Sequence, residues 1–369
     1  MRSCARRVGP PALAFAAARL LLLLAGVWSG QRPSDERLWM RWDSFRYAAI
    51  AEHGYEIHPC APNEGVPGAR WCGDAGWFPS YPALIRAAGA AGLSTVPAGT
   101  AISALAAFLS LVLLWNAFLI GRAGAGPSLL LASFFPGVVY QHAYFPMSLC
   151  VCGLLGLALA VRRGEAGWAL LIAAATAPLH PMMAMLAPAA LVAGLLDSSA
   201  PPRRRACWGA ALGAGLGLIL VLVVQHRDLG IWDGWARVQE MSRYRDWTPM
   251  RLRQMLYIPI VIHPTELTKT LVVAQSALVA ALVLGAAAAA ARRNGTPEPD
   301  VWLWSTTLVL WLAPHLSGYR QSYYRSETLL LPLAILAPRW PKLWRWSAAA
   351  AAAALAVLMA REFFAGRLV

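Results

Sequence analysis

Arg203-Arg204-Arg205-Ala206-Cys207-Trp208-Gly209-Ala210-Ala211-Leu212-Gly213-Ala214-Gly215-Leu216-Gly217-Leu218-Ile219-Leu220-Val221-Leu222-Val223-Val224-Gln225 decides the fold: three arginines, then residues 206–225 without one charged side chain. Roughly 20 apolar residues are what a helix needs to cross the hydrocarbon of a bilayer. In that medium a backbone satisfies its polar groups only as a helix or a closed barrel. The rest of the 369-residue chain repeats the theme, being 58% hydrophobic and only 14% charged, with a mean hydropathy of +0.51. That is too much apolar surface for one soluble core. About eleven such runs are legible, near 11–30, 96–120, 128–144, 148–161, 166–180, 183–196, 206–225, 269–291, 301–316, 326–338 and 343–360. Several are shorter than a full span, so some are expected to be broken or re-entrant.

Arginine clusters give the expected orientation. Arg2, Arg6 and Arg7 precede the first run; Arg122, Arg162-Arg163, Arg203-Arg204-Arg205, Arg292-Arg293 and Arg339 with Lys342 and Arg345 follow later ones. Alternating eleven spans puts all of them on one face, which the positive-inside rule assigns to the cytoplasm. The expectation is an all-α integral plasma membrane protein, one transmembrane domain over residues 1–369, with a cytoplasmic N-terminus. Its long loops, 31–95 and 226–268, then face outward. The net charge of +14 follows from this topology and from contact with anionic lipid. Nucleic acid is not an expected partner, since no basic soluble domain is present to carry it. Arg6-Arg7 and the apolar stretch to Leu24 also suit a signal peptide, but the run is long enough to span and then delivers Asp43 to the outer face.

Cys60 and Cys72 bracket a Pro- and Gly-bearing segment of the first outer loop, where a disulfide could clamp an irregular backbone. Their spacing lacks the paired pattern of a zinc site. Cys150, Cys152 and Cys207 fall in or beside apolar runs and read as packing residues. Met182, Met183 and Met185 read the same way, not as a copper site.

Chemistry concentrates just after the first run, in Arg41-Trp42-Asp43-Ser44-Phe45-Arg46-Tyr47-Ala48-Ala49-Ile50-Ala51-Glu52-His53-Gly54-Tyr55. From Leu38 to Ala51 the pattern has helical period, with Trp39, Asp43, Tyr47 and Ile50 on one face, so amphipathic helices lying at the interface are expected here. Gly54 should end that helix. Arg41 and Arg46 lie where they could hold the Asp43 carboxylate or a phosphate; the plainer reading of Asp43 is a surface aspartate paired with an arginine.

Trp42-Asp43, Tyr47, Ile50-Ala51 and Gly54-Tyr55, with Phe78-Pro79-x-Tyr81-Pro82-x-Leu84-Ile85-Arg86 downstream, resemble the signature of the PIG-V type mannosyltransferases of GPI-anchor assembly and their bacterial relatives, within the GT-C class of polytopic glycosyltransferases. The resemblance implies a GT-C-like helical membrane fold, a polyprenyl-phosphate sugar donor, and a catalytic acid in the first extracytoplasmic loop, which falls on Asp43. Trp42, Tyr47 and Tyr81 lie within the matching motifs and, with Arg41, Arg46 and Arg325, are the candidate substrate-binding residues. Two segments depart from the pattern. Tyr144-Phe145-Pro146-Met147-Ser148-Leu149 carries methionine where glutamate is expected, and His180-Pro181-Met182 stands where relatives often have Arg-Pro or Arg-Asn. Tyr323-Tyr324-Arg325 with Leu330 and Pro332 resembles the family's arginine and proline entering a late span.

The implied reaction transfers a hexose, mannose by resemblance, with inversion from a lipid-linked donor to a glycolipid, glycan or protein acceptor. One carboxylate suffices to take the acceptor's proton, and cations or a divalent metal ion would stabilise the leaving phosphate. Arg325 is a candidate for that phosphate; a structural Arg325–Glu327 pair is the competing reading. His53 and His58 with Glu52 or Asp43 are the residues from which a metal site could be assembled. In the second outer loop, Trp232, Trp235, Trp247, Tyr244 and Tyr257 among Arg237, Arg243, Arg245, Arg251 and Arg253 suit an anionic head group or simple interfacial anchoring. Asp233 is the best candidate there for a second acid. A transporter or lipid flippase is the competing function; it would call for paired repeats and ionisable residues at mid-membrane. A non-catalytic scaffold is favoured only by Met147. Tags inserted at 63–67 and 238–242 should be reachable from outside intact cells and tags at 200–204 and 294–298 should not; protection of both loop tags would invert the topology.

Overall fold

A computed structural model describes residues 2–62, 64, 70–197, 201–240, 266–291, 301–316 and 323–368. Among them, five helices are long and apolar enough to cross a membrane: Ala5–Trp28, Thr95–Leu119, Pro201–Leu229, Leu267–Ala289 and Lys342–Phe364. Ala166–Leu179, Pro181–Leu196 and Val301–Pro314 are shorter apolar helices. The protein is an all-α membrane protein.

The shorter runs break where their sequence gives the backbone reason to. Residues 128–144 are not one helix: the Ala125–Ser133 helix stops, the chain turns through Gly137 at φ +79°, and a single turn follows at Val139–His142. Around His180, which is extended, the 3-10 turns Ala177–Leu179 and Pro181–Met185 separate the Ala166–Thr176 and Leu186–Leu196 helices. Pro178 and Pro181 each withhold a backbone donor there. Residues 327–335 form a 3-10 helix with Pro332 inside it. These irregular segments are mostly buried among helices, where protein groups replace the missing backbone partners.

The 203–225 stretch lies within a helix of 29 residues, Pro201–Leu229. Its glycines at 209, 213 and 217 recur every fourth position. Added β-carbons would lie 2.6 Å from Ala166 O, 2.1 Å from Leu170 O and 2.7 Å from Ala174 O. This is the small-residue stripe that lets two membrane helices bring their backbones together. Gln225, at the far end of the run, donates from Nε2 to Ala75 O at 2.7 Å and ties the helix to the first loop.

That loop is more structured than its composition suggests. A 3-10 turn, Glu36–Trp39, is capped by Asp35, whose side chain accepts from Arg37 N. Helix α1 spans Arg2–Trp28 and α2 spans Ser44–His53. The short helices expected over Leu38–Ala51 are present but separated by a break: Met40 is extended and Trp42 sits at φ +52°. The physical reason is local. Ser44 Oγ donates to Arg41 O at 2.8 Å and accepts from Arg41 N at 3.1 Å, a turn that competes with helix continuation. Gly54 does end α2, at φ +83° with its N–H on Ile50 O. Beyond it, strands β1 (Ile57–Pro59) and β2 (Trp71–Gly73) pair antiparallel, and Cys60 and Cys72 are joined by a disulfide.

Gly213→Leu should lower stability by at least about 1–3 kcal/mol, the cost of overpacking a closed interface. Thermal unfolding in detergent checks this; an unchanged midpoint would show that the stripe tolerates side chains.

Candidate functional site

The two sequence motifs are packed together. Helix α3 (Ser80–Ala90) lies against α2, with the rings of Tyr47 and Tyr81 edge to face at 5.4 Å. Both rings are fully buried. Tyr81 Oη lies 2.9 Å from Gly99 O and 2.8 Å from Ser103 Oγ, and Ser103 donates onward to Phe145 O at 2.8 Å. Arg86 donates from Nε to Ala51 O at 3.0 Å and from Nη2 to Ile50 O at 2.7 Å, closing the C-terminal end of α2. The second motif thus holds the first in place.

Asp43 occupies the N-terminal boundary of α2, where its side chain makes no capping bond to the helix. Its carboxylate instead accepts from Nη1 of Arg325, 282 residues away in sequence. The Arg325 side chain is 8% exposed and that of Asp43 is 30%, so the pair has an enclosed cationic end and an accessible anionic one. Aromatic rings wall the guanidinium: Tyr140 and Phe145 each have their centroids 5.7 Å from its carbon. Tyr140 and Phe145 in turn meet edge to face at 5.3 Å.

Glu327 does not pair with Arg325, which corrects that alternative. It turns the other way, accepting from Gln275 Nε2 at 2.6 Å and lying 2.6 Å from Ser276 Oγ. A base and an acid two positions apart in sequence point to different neighbours, Arg325 to Asp43 and Glu327 to Gln275 and Ser276. Gln275, Ser276 and Gln141 were not singled out by sequence reasoning. The available signal was their polarity inside apolar runs.

Other candidates take different places. Arg41 is a backbone clamp: its guanidinium donates to Met40 O (2.7 Å), Arg37 O (3.1 Å), Phe364 O (3.2 Å) and Gln31 Oε1 (3.2 Å). Arg46 lies over Trp77 at 5.6 Å, and Trp42 is 38% exposed beside Asp43. His58 bonds to Glu64 at 3.0 Å, and exposed His53 lies 3.7 Å from Glu52. Among the described residues, no three His, Cys, Asp or Glu side chains gather where a metal ion could bind. His53, His58, Glu52 and Asp43 are therefore not brought into one cluster.

Asp233 accepts from Arg237 at 2.8 Å, a bond that holds its carboxyl below the usual range. Arg237 also lies over Trp71 at 5.0 Å, while Trp232 stacks on His226 at 4.0 Å. Met183 is buried, and Met182 and Met185 pack against the same core. Tyr244, Trp247, Tyr257, Arg243, Arg245, Arg251, Arg253 and the side chain of Tyr323 lie outside the described residues.

No protein-family model matches this chain, and no curated protein gives a significant match.

Asp74, unlike Asp43, is a buried acid of the first loop. Its Oδ1 accepts from Glu56 N at 2.9 Å, and burial pushes its carboxyl up to about 6 from 3.8. A raised folded-state value favours the protonated form. The stabilisation is fully present below pH 3.8 and is lost as pH rises through about 6. Hydrogen exchange over 55–62 and 70–77 should therefore speed up between pH 4 and pH 7 once corrected for intrinsic rates, by up to about 3 kcal/mol in opening energy. Asp74→Asn should abolish that slope; a loop better protected at pH 7 would reverse the sign.

Proposed function

We propose that this chain is a GT-C-like membrane glycosyltransferase that moves a hexose, mannose by resemblance, from a polyprenyl-phosphate donor to an extracytoplasmic acceptor. The observation that carries the reading is the meeting of Asp43, from the first loop, with Arg325, from a late turn 282 residues away. A carboxylate and a guanidinium side by side at the edge of an apolar bundle suit a reaction between a lipid phosphate and a hydroxyl. The resemblance of the Trp42-Asp43 and Phe78-Pro79 motifs supports the same assignment, and those motifs are packed on one another through Tyr47 and Tyr81.

In this mechanism the acceptor hydroxyl oxygen attacks the anomeric carbon from the face opposite the phosphate. The new carbon–oxygen bond forms as the bond to the phosphate oxygen breaks, so the centre inverts. Asp43 takes the hydroxyl proton as general base. Arg325 offers its fork to the departing phosphate, where a fixed positive charge offsets the developing negative one. Tyr47 and Tyr81, both enclosed, support α2 from behind. Trp42 and Arg46 lie nearer the surface, on the side from which a head group would approach. Arg41 acts on the backbone that presents Asp43. The acceptor, a glycolipid, glycan or protein, would reach the site from the side where Asp43 is open.

Asp43→Asn keeps shape and removes basicity, so it should insert normally while transfer falls by roughly two to four orders of magnitude. Glu52→Gln, on the exposed side of α2, is the control and should leave transfer near the parent's; Asp74 is too deeply buried to serve as one. Arg325→Lys keeps a charge but loses the fork, and should raise the donor KM. These are read with a defined polyprenyl-phosphate mannose donor. Near-parent transfer by Asp43→Asn would remove the mechanism and favour a transporter or flippase.

A further inference from the structure

We infer that Gln275, with Glu327 as its partner, is the positioning residue that sets Arg325 against Asp43. This rests on the reading of Asp43 and Arg325 as the reacting pair. The turn bearing Arg325, Tyr323–Ser326, runs directly into the 3-10 helix Glu327–Ile335, whose hydrogen-bond geometry is poorer than that of an α-helix. Its position is borrowed from neighbours. Gln275 Nε2 donates to Tyr324 O at 2.8 Å, the carbonyl immediately before Arg325, and to Glu327 Oε2 at 2.6 Å, two residues after it. One buried amide thus grips the chain on both sides of the arginine.

Two further contacts restrain the residues that follow this turn. Ser276 Oγ lies 2.6 Å from Glu327 Oε1, and Gln141 Nε2 donates to Thr328 Oγ1 at 2.7 Å. Gly137 closes the opposite side: a β-carbon there would lie 2.9 Å from Tyr324 O. All these polar groups are buried, where an unsatisfied partner is costly. The alternatives to Gln275 are few. Both its amide protons are used, glutamate of equal length has none to offer, and methionine fills the space without polar atoms. Glu327 acts in this arrangement as a hydrogen-bond acceptor, and its charge carries no step.

The test uses the full chain in lipid nanodiscs. Asp43→Asn should lower the thermal midpoint in the parent, and by less than about half as much in a Gln275→Met background, since contacts in one network are non-additive. Equal shifts in the two backgrounds would overturn the inference. This readout needs no substrate, so it stands even if the parent transfers no sugar, an outcome that would instead remove the proposed function. Where transfer is measurable, Gln275→Met should cost roughly 10- to 100-fold, the scale of a small misplacement of a reacting group. It should add no further loss to Arg325→Lys; a fully additive loss would overturn the inference. Glu327→Gln keeps an acceptor for Gln275 and should stay within about threefold of the parent. A loss as large as that of Asp43→Asn would make Glu327 a charge-bearing group and overturn its role here. If Gln275→Met does not fold, Gly137→Ala, which presses on Tyr324 O, serves in the same cycle with the same expected non-additivity.

Discussion

The structure depends on one ion pair at the edge of an apolar bundle. Arg325 is almost enclosed, and its charge would be expensive there without a partner. Asp43 supplies that partner from a loop, which fixes how the loop must sit on the helices. Much of the first loop serves this end. Ser44 and Arg41 form the turn that starts α2 with Asp43 at its N-terminal boundary. Tyr81 and Arg86 hold α2 by its flank and its C-terminal end. The disulfide and hairpin close the loop beyond it.

The second constraint is the backbone's need for partners away from water. The long helices meet it internally. The irregular segments, Phe134–Val138, Ala177–Met185 and Glu327–Ile335, need neighbours, and Gly137 of the first meets Tyr324 and Thr328 on either side of Arg325 and Glu327. Gln275, Gln141 and Arg19 are among the side chains that reach such carbonyls and hydroxyls. Broken helices therefore cost stability in the same place where they let polar side chains converge.

Some of this was legible in the residues. Gly54 as a helix stop and Cys60 with Cys72 are local signals, since each depends on neighbours close in sequence. The break between the two short helices of Leu38–Ala51 was not legible, because periodicity records which side chains are apolar, while a serine bonding the backbone three residues before it records nothing in that pattern. Arg325 beside Glu327 suggested a pair to each other. Their actual partners, Asp43 and Gln275, are remote in the chain, and no spacing rule reaches them.

By itself the sequence determined the medium and the class: hydrocarbon leaves a backbone only a helix or a closed barrel, and unbroken apolar runs of membrane length lack the alternation of barrel strands. It also marked Arg325 as an ionisable residue entering an apolar run, and Asp43 as an acid among arginines just after the first one. Only the tertiary structure decided that each is the other's partner, that Glu327 turns away to Gln275, and that glycines 209, 213 and 217 are an interface instead of apolar filler. Those are contacts between distant segments. They are set by which helix faces pack together, a choice that the order of residues along one helix does not contain.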